Sequence, residues 1–196
     1  MARTQHPIEV ESYRILRSHL DTSGLPECTR AVTERVIHTS ADLEYATDLV
    51  CDEDALWAGR RALAAGAALV VDVRMLAAGI TSREAVVALD LAAVPPPGLT
   101  RSAAGVRAAA ARHPQGAVWA IGNAPTALRE LIRLAAAGVV RPALVIGLPV
   151  GFVDAAQAKA ALRDSGLPAL SNRSAKGGTA VAAAAVNALL YLEPSR

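Results

Sequence analysis

The stretch 34–38 has the residue types and spacing best suited to moving a proton. On a helix, Glu34, Arg35 and His38 share one face because they lie three and four positions apart. Glu34 favours a protonated His38 and Arg35 opposes it, and a ligand carboxylate on Arg35 would cancel that opposition. Such a histidine can donate a proton near neutral pH. A histidine that caps its helix, or packs half-buried against the core, would have the same spacing, so both interpretations stay open.

Three segments that follow predicted strands are candidates for a binding site. They are GNAPT (122–126), GLPVGFVDA (147–155) and SNRSAKGGT (171–179). In the third, Arg173 and Lys176 lie beside the backbone N–H groups that open the last helix, and this combination favours an anionic ligand. Each segment alone is also consistent with ordinary turn chemistry, since Asn, Gly and Pro are common in turns. Their occurrence at one edge of the predicted sheet favours a site.

Short apolar strands alternate with helices from about residue 67 onward. The strands are predicted at 67–73, 116–122, 141–147 and 167–171, and the helices at 100–113, 124–138, 154–166 and 177–192. This alternation indicates an α/β fold, a parallel sheet with helices on both faces, and it brings the three segments to the carboxyl edge of the strands. The part before it, about 7–66, is predicted to be helical. We expect residues 1–196 to form one domain.

Composition and missing motifs exclude several classes of function. The chain of 196 residues has a net charge of +2 and no run of Lys or Arg, which argues against a nucleic-acid partner. Cys28 and Cys51 form no CxxC, which suits a reducing compartment and disfavours a structural zinc. No apolar run reaches the ~20 residues of a membrane span, so we expect a cytoplasmic protein. No GxGxxG, GxxxxGK[ST], GxSxG or HExxH motif occurs.

Six stretches, taken in order, resemble the precorrin-8X methylmutase family of cobalamin biosynthesis. They are IEVESYRIL, RVIHTSAD, VDVRMLAAGI, IGNAPTAL, GLPVGFVDAAQAK and GGTAVAAAAVNALL. The resemblance runs from about Ile8 to Leu190. It implies a flavodoxin-like three-layer α/β/α fold, a homo-oligomer, no cofactor and no metal. The implied reaction isomerises precorrin-8X, a tetrapyrrole rich in carboxylates, to hydrogenobyrinate by moving a methyl group between adjacent ring C carbons.

The same resemblance assigns roles to individual residues. It places the family's proton donor and acceptor on His38, a substrate-binding arginine on Arg35 and a substrate-binding serine on Ser12. The other expected substrate contacts come from the three segments: Asn123, Thr126, Gly151, Phe152, Lys176, Gly177 and Gly178. The family usually has Gly-Arg-x-Gly-Gly-Ser before the last helix, and here Ala175 stands where the arginine is expected.

Two other classes of function remain alternatives at this point. A non-catalytic tetrapyrrole carrier would keep the pocket, but it has no need of a proton donor such as His38. An unrelated flavodoxin-like sensor domain is disfavoured by the missing phosphate loops and by the series of motifs. The sequence does not distinguish a metal-free from a cobalt-containing substrate.

Overall fold

The computed structural model describes residues 6–92 and 94–192. Its helices are α1 (Pro7–His19), α2 (Glu27–Ser40), α3 (Tyr45–Asp48), α4 (Glu53–Ala64), α5 (Arg74–Ala78), α6 (Arg101–Arg112), α7 (Pro125–Ala136), α8 (Ala155–Asp164) and α9 (Thr179–Tyr191). Its strands are β1 (Leu49–Cys51), β2 (Leu69–Val71), β3 (Val86–Val87), β4 (Val118–Ile121), β5 (Leu144–Gly147) and β6 (Ala169–Asn172). A 3₁₀ turn spans Ala88–Leu91.

The six strands form one sheet in the order β1-β6-β5-β4-β2-β3. Every neighbouring pair is parallel except β1 and β6, which pair antiparallel at one edge. The five parallel strands have the flavodoxin order, in which the chain reverses direction across the sheet between β2 and β4. The predicted α/β fold with a parallel sheet is therefore confirmed, with one antiparallel strand added.

Alternation along the strands divides the core into two layers. Leu69 and Val71 face the helices α1, α2, α4, α5 and α9, whereas Val70 between them faces α6, α7 and α8. The same division separates Val118 and Ala120 of β4 from its Trp119 and Ile121. Side chains on a strand point alternately to its two faces, so an unbroken apolar run supplies both layers. On the first face, α2 packs along α9.

Two strands were missed in the sequence. The segment predicted as helical contains β1, and β3 follows α5 within a stretch to which no strand was assigned. Both are too short to show a period of two, and β1 depends on a partner far along the chain, since Val50 pairs with Ser171. The four predicted strands and the four predicted helices after residue 100 are confirmed to within a few residues of their ends.

Helix ends follow local side-chain chemistry. The carboxylate of Asp52 accepts a hydrogen bond of 3.2 Å from the backbone N–H of Ala55 and so caps α4. Thr100 caps α6 in the same way, through Ala103. Gly66, just after α4, has a φ of +91°, a conformation that favours glycine. Within the described ranges, no helix combines the length and apolar character needed to cross a bilayer.

Candidate active site

His38 lies in the last turn of α2 and is held by two residues of α1. Its Nδ1 is 2.7 Å from Oγ of Ser12. The ring of Tyr13 stacks on the imidazole, with the centroids 5.0 Å apart and the planes inclined by 17°. The imidazole is half-buried, and both its plane and one of its nitrogens are fixed.

The hydroxyl group of Ser12 suits both protonation states of His38. With a proton kept on Nδ1, Nδ1–H donates to Oγ of Ser12 in the imidazolium and in the neutral imidazole alike. In either state Nε2 is the nitrogen left to exchange a proton, and among the described residues it has no hydrogen-bond partner. The arrangement can therefore give and take one proton without moving the ring.

Glu34 does not interact with His38 in the way that helical spacing suggested. Its carboxylate accepts two hydrogen bonds from Arg17, of 3.0 and 2.6 Å, and one of 2.5 Å from the hydroxyl of Thr22. Burial alone would raise the pKa of Glu34, but these hydrogen bonds outweigh it and hold the pKa below its ordinary value. Glu34 thus joins α2 to α1, and the contacts of His38 come from Ser12 and Tyr13.

Arg35 already has a carboxylate partner and an aromatic partner. Its Nη1 lies 3.3 Å from Oε1 of Glu9, and its guanidinium lies over the ring of Tyr191, 4.8 Å from the centroid. The side chains of Arg35 and Glu9 are 17% and 8% exposed. Arg35 also lines a cleft of about 220 Å³ among α1, α2 and the end of α9, together with Tyr13 and Arg17. An anionic group entering this cleft meets two guanidinium groups, each of which is already paired with a carboxylate, Arg35 with Glu9 and Arg17 with Glu34.

The second and third candidate segments are hydrogen-bonded to each other through their backbones. Gly151 donates to the carbonyl of Ala175 at 3.2 Å, and Gly178 donates to the carbonyl of Leu148 at 2.8 Å. Gly177 has a φ of +148°, and a Cβ there would overlap the carbonyl oxygens of Leu148 and Pro149. Glycine is therefore required where the two segments touch.

The first segment is fixed by a residue that sequence analysis missed. The buried carboxylate of Asp72, at the end of β2, accepts hydrogen bonds from the N–H groups of Gly122, Asn123 and Ala124 at 3.2, 2.7 and 3.1 Å. Burial raises the pKa of Asp72, and these three bonds oppose the rise. The start of α7 is thus held by Asp72, whereas the side chain of Asn123 is exposed. An acid directly after a buried strand, at the point where strand order reverses, was the signal available.

Lys176 connects the third segment to the loop that follows the helix carrying His38. Its ammonium is 2.6 Å from Oδ2 of Asp42, which follows His38 by four residues, and it also bonds Glu44. These two carboxylates raise the pKa of Lys176 above its ordinary value. The lysine expected to bind substrate is thus paired within the protein, and any substrate carboxylate must share it or displace a partner.

Comparison with known proteins places this arrangement in one family. The family model described as CbiC, precorrin-8X methylmutase, matches residues 7–192. The chain belongs to the precorrin-8X methylmutase family. The enzymes that give the family its name are isomerases of cobalamin biosynthesis, so the resemblance read from the six stretches is confirmed.

Relatives of the family agree in sequence and in structure. Precorrin-8X methylmutase of Pseudomonas aeruginosa is 41% identical over 192 residues, which cover 91% of each chain. Cobalt-precorrin-8 methylmutase of Synechocystis is 37% identical and covers 98% of each chain. The crystal structure of precorrin-8X methylmutase from Thermus thermophilus superposes with a TM-score of 0.84 at 36% identity over 93% of each chain. The fold is thus that of solved members of the methylmutase family.

Against this family background, the predicted site residues fall into three groups. Ser12 contacts His38 directly, and Arg35 lines the cleft beside Tyr13. Lys176, Gly177, Gly178 and Gly151 lie in the joined segments, which Lys176 links to the end of α2. Thr126 is separate, because its hydroxyl bonds that of Thr100 at 2.9 Å, and Phe152 is fully exposed and makes no part of the core.

Several residues around the candidate site were not found from the sequence. Tyr13, Glu9 and Arg17 on α1, with Asp42 and Asp72 elsewhere, each hold a candidate residue or segment in place. No group of three or more His, Cys, Asp or Glu side chains in residues 6–92 and 94–192 is placed to hold a metal ion.

Proposed function

We propose that this chain converts precorrin-8X into hydrogenobyrinate, or the cobalt-containing substrate into cobyrinate, by moving a methyl group between adjacent carbons of ring C. The observation that carries the proposal is the Ser12–His38 hydrogen bond with Tyr13 stacked on the imidazole. A fixed imidazole with one available nitrogen is what proton transfer requires. A carrier that only holds a tetrapyrrole has no need of it.

His38 acts first as an acid and then as a base. Protonated His38 donates through Nε2 to the conjugated macrocycle, which draws electron density toward the protonated atom. The bond from the methyl group to one ring C carbon breaks, and a bond to the neighbouring carbon forms with the same electron pair. A proton then returns to His38 and the conjugation is reset. Substrate and product are isomers, so nothing else is consumed, and Nδ1–H of His38 donates to Oγ of Ser12 throughout.

The charged groups of the cleft beside Tyr13 and of the joined segments suit a macrocycle that carries many carboxylates. Arg35 and Arg17 meet a carboxylate that enters the cleft, and the guanidinium fork favours two parallel hydrogen bonds. Lys176 and the N–H groups at the start of α9 offer a second anionic subsite at the joined segments. Binding several carboxylates at once fixes the reacting carbons relative to His38.

We also propose that the protein acts as a homo-oligomer in the cytoplasm. Phe152 and Val153 are 103% and 84% exposed, and Ile8 of α1 is 73% exposed, so a second copy or the flat face of the macrocycle has apolar surface to cover. Free Cys28 and Cys51 suit a reducing compartment. Sedimentation with and without hydrogenobyrinate separates these two ways of covering Phe152. A second copy doubles the mass of the sedimenting protein, whereas a bound macrocycle leaves the number of protein chains unchanged.

The deciding experiment follows the visible spectrum of precorrin-8X incubated with the protein, with His38→Ala and with His19→Ala as the matched control. We expect conversion by the wild type and by His19→Ala, and a rate lower by about 10²–10⁴-fold for His38→Ala, the range for loss of a general acid. The His38→Ala variant should still bind. If all three bind precorrin-8X and its cobalt form but convert neither, the carrier alternative replaces the isomerase. If none binds, the proposal fails.

A further inference from the structure

Lys159 of α8 is a buried cation to which the proposed reaction gives no role. Of the 20 lysine and arginine residues, only Lys159 and Lys176 are lysines. The side chain of Lys159 is 0% exposed. Its ammonium donates to Oδ1 of Asn172 at 2.8 Å and to the backbone carbonyl of Lys176 at 2.5 Å. The ammonium of one lysine of the chain is therefore hydrogen-bonded to the backbone of the other.

Burial of the charged ammonium of Lys159 is energetically unfavourable because it removes the group from water. Burial lowers the pKa of Lys159 to about 8, with Asp48 opposing the fall and Arg163 adding to it. Both hydrogen-bond acceptors of the ammonium are neutral oxygens, and Asp48 reaches it only through Asn172, whose Nδ2 donates to Asp48 at 2.7 Å. An apolar side chain of similar volume is often no less stabilising than a buried charge. Stability alone therefore gives a weak reason for a lysine at this position.

What the ammonium holds is the beginning of the glycine turn. The carbonyl of Lys176 accepts a second hydrogen bond of 3.0 Å from Nδ2 of Asn172, so two donors fix it from inside the protein. Directly after it come Gly177 and Gly178, with φ values of +148° and +120°. A backbone with two adjacent glycines can adopt many conformations. Fixing the carbonyl that precedes the two glycines reduces the number that remain accessible.

The hydrogen bonds around Lys159 extend to the residues between β6 and the Gly177–Gly178 turn. Asp48 accepts hydrogen bonds from the N–H groups of Arg173 and Ser174, at 3.0 and 2.8 Å, and from the hydroxyl of Ser174. Arg163, one turn after Lys159 on α8, donates to the carbonyl of Asn172 at 2.9 Å. The third segment is therefore held from α3 on one side and from α8 on the other, and Lys159 is the part of this network that touches residue 176.

We propose that Lys159 is a positioning residue for the methylmutase reaction: its ammonium holds the carbonyl of Lys176 and so sets the path of the Gly177–Gly178 turn that receives a substrate carboxylate. The inference rests on the proposed function for the identity of that carboxylate. It assigns no proton transfer to Lys159, which touches neither His38 nor solvent. A misplaced turn weakens substrate binding and leaves the acid/base step at His38 unchanged.

The kinetic test uses Lys159→Met, which is unbranched, one atom shorter and uncharged, and Lys159→Gln, which keeps an N–H donor. Loss of a hydrogen bond from a charged group predicts a KM for precorrin-8X that is higher by about tenfold in Lys159→Met, with kcat close to wild type. Lys159→Gln should recover part of the loss. Leu162→Met, a buried change on the same helix, is the matched control and should leave KM within twofold. A KM within twofold of wild type for Lys159→Met overturns the proposal.

A second measurement does not depend on activity. Protein labelled with [13Cε]lysine gives only two lysine signals, which Lys176→Arg assigns. We expect the Lys176 signal to move in Lys159→Met or, should that variant not fold, in Lys159→Gln, because the turn has shifted. An unmoved Lys176 signal overturns the proposal. If the wild type converts neither precorrin-8X nor its cobalt form, the proposed function fails by itself, and the affinity of the same variants for hydrogenobyrinate then replaces KM in deciding the role of Lys159.

Discussion

Oγ of Ser12 lies 2.7 Å from Nδ1 of His38, although the two residues are 26 positions apart and belong to different helices. This contact gives the imidazole a fixed orientation and a partner in both protonation states. Tyr13, the neighbour of Ser12, stacks on the same ring. Two consecutive residues of α1 thus set the geometry of one residue of α2.

Removing the hydroxyl of Ser12 should slow catalysis more than it destabilises the fold. In Ser12→Ala, we expect kcat to fall about 3–10-fold, the equivalent of one hydrogen bond of ordinary strength. Ser18→Ala is the matched control, since Ser18 is exposed on the same helix and bonds only the carbonyl of Ile15. Steady-state rates and thermal unfolding of the two variants decide between catalysis and folding. Equal kcat values for Ser12→Ala and the wild type would remove Ser12 from the mechanism.

Replacing Arg35 with lysine should weaken substrate binding although the charge is kept. A lysine cannot reproduce the planar fork, and it loses the contact of the guanidinium with the ring of Tyr191. We expect KM for precorrin-8X to rise about tenfold, because hydrogen bonds to charged groups contribute roughly 1.5–3 kcal/mol. Arg14→Lys, at an exposed pair on α1, provides the comparison. A KM that responds equally to both substitutions would argue against Arg35 as a substrate contact.

A methyl group at Gly177 should destabilise the contact between the second and third segments. Gly177→Ala introduces a Cβ at a φ of +148°, against the carbonyl oxygens of Leu148 and Pro149, so we expect the free energy of unfolding to fall by at least about 2 kcal/mol. Gly24→Ala should change it by less than about 0.5 kcal/mol, because open space surrounds that position. Urea unfolding measures both. A Gly177→Ala variant as stable as Gly24→Ala would show that the segments separate easily.

The contact of Glu34 with Arg17 and Thr22 predicts a pH dependence of stability. The pKa of Glu34 is lower in the folded protein than its ordinary value of 4.5, so its contribution is present above that value. It is lost as the pH falls through the lower, folded pKa. The stability difference between wild type and Glu34→Gln should therefore be full at pH 7 and shrink below about pH 4.5.

Glu11→Gln serves as the comparison for Glu34→Gln. Glu11 pairs with Arg14 on the exposed surface of α1, so its replacement should have little effect at any pH. Urea unfolding from pH 3 to pH 7 gives both series. A Glu34→Gln difference that stays constant across this range would show that the carboxylate does not stabilise the junction of α1 and α2.

The second half of the fold could be predicted because its strands and helices are locally marked. Buried parallel strands such as β4 and β5 are unbroken apolar runs. The helix between them, α7, begins at Pro125 and is followed by Gly138, which has a positive φ. β1 carries no such mark. Its three residues take up strand geometry by pairing with β6, so the information lies at the other end of the chain.

The candidate site also combines features that are local in sequence with features that depend on tertiary packing. The spacing of Arg35 and His38 is a property of one helix and was available from the sequence. The pairing of Arg35 with Glu9 and of Glu34 with Arg17 depends on how α1 packs against α2, which no local pattern encodes. For that reason the sequence could place Arg35 and His38 on one helix, whereas the salt bridge between Glu34 and Arg17 could not be read from it.

The antiparallel pairing of β1 with β6 has a consequence for how the chain is made. During synthesis, α2 emerges early, yet the sheet edge and the helix α9 against which it packs are the last parts to appear. Val32 and Val36, which end in the core, must stay exposed or be held by other proteins until then. Contacts so distant in sequence form slowly. A chain that stops before α9 keeps His38 but lacks Ala188 and Tyr191, which line the cleft beside Tyr13.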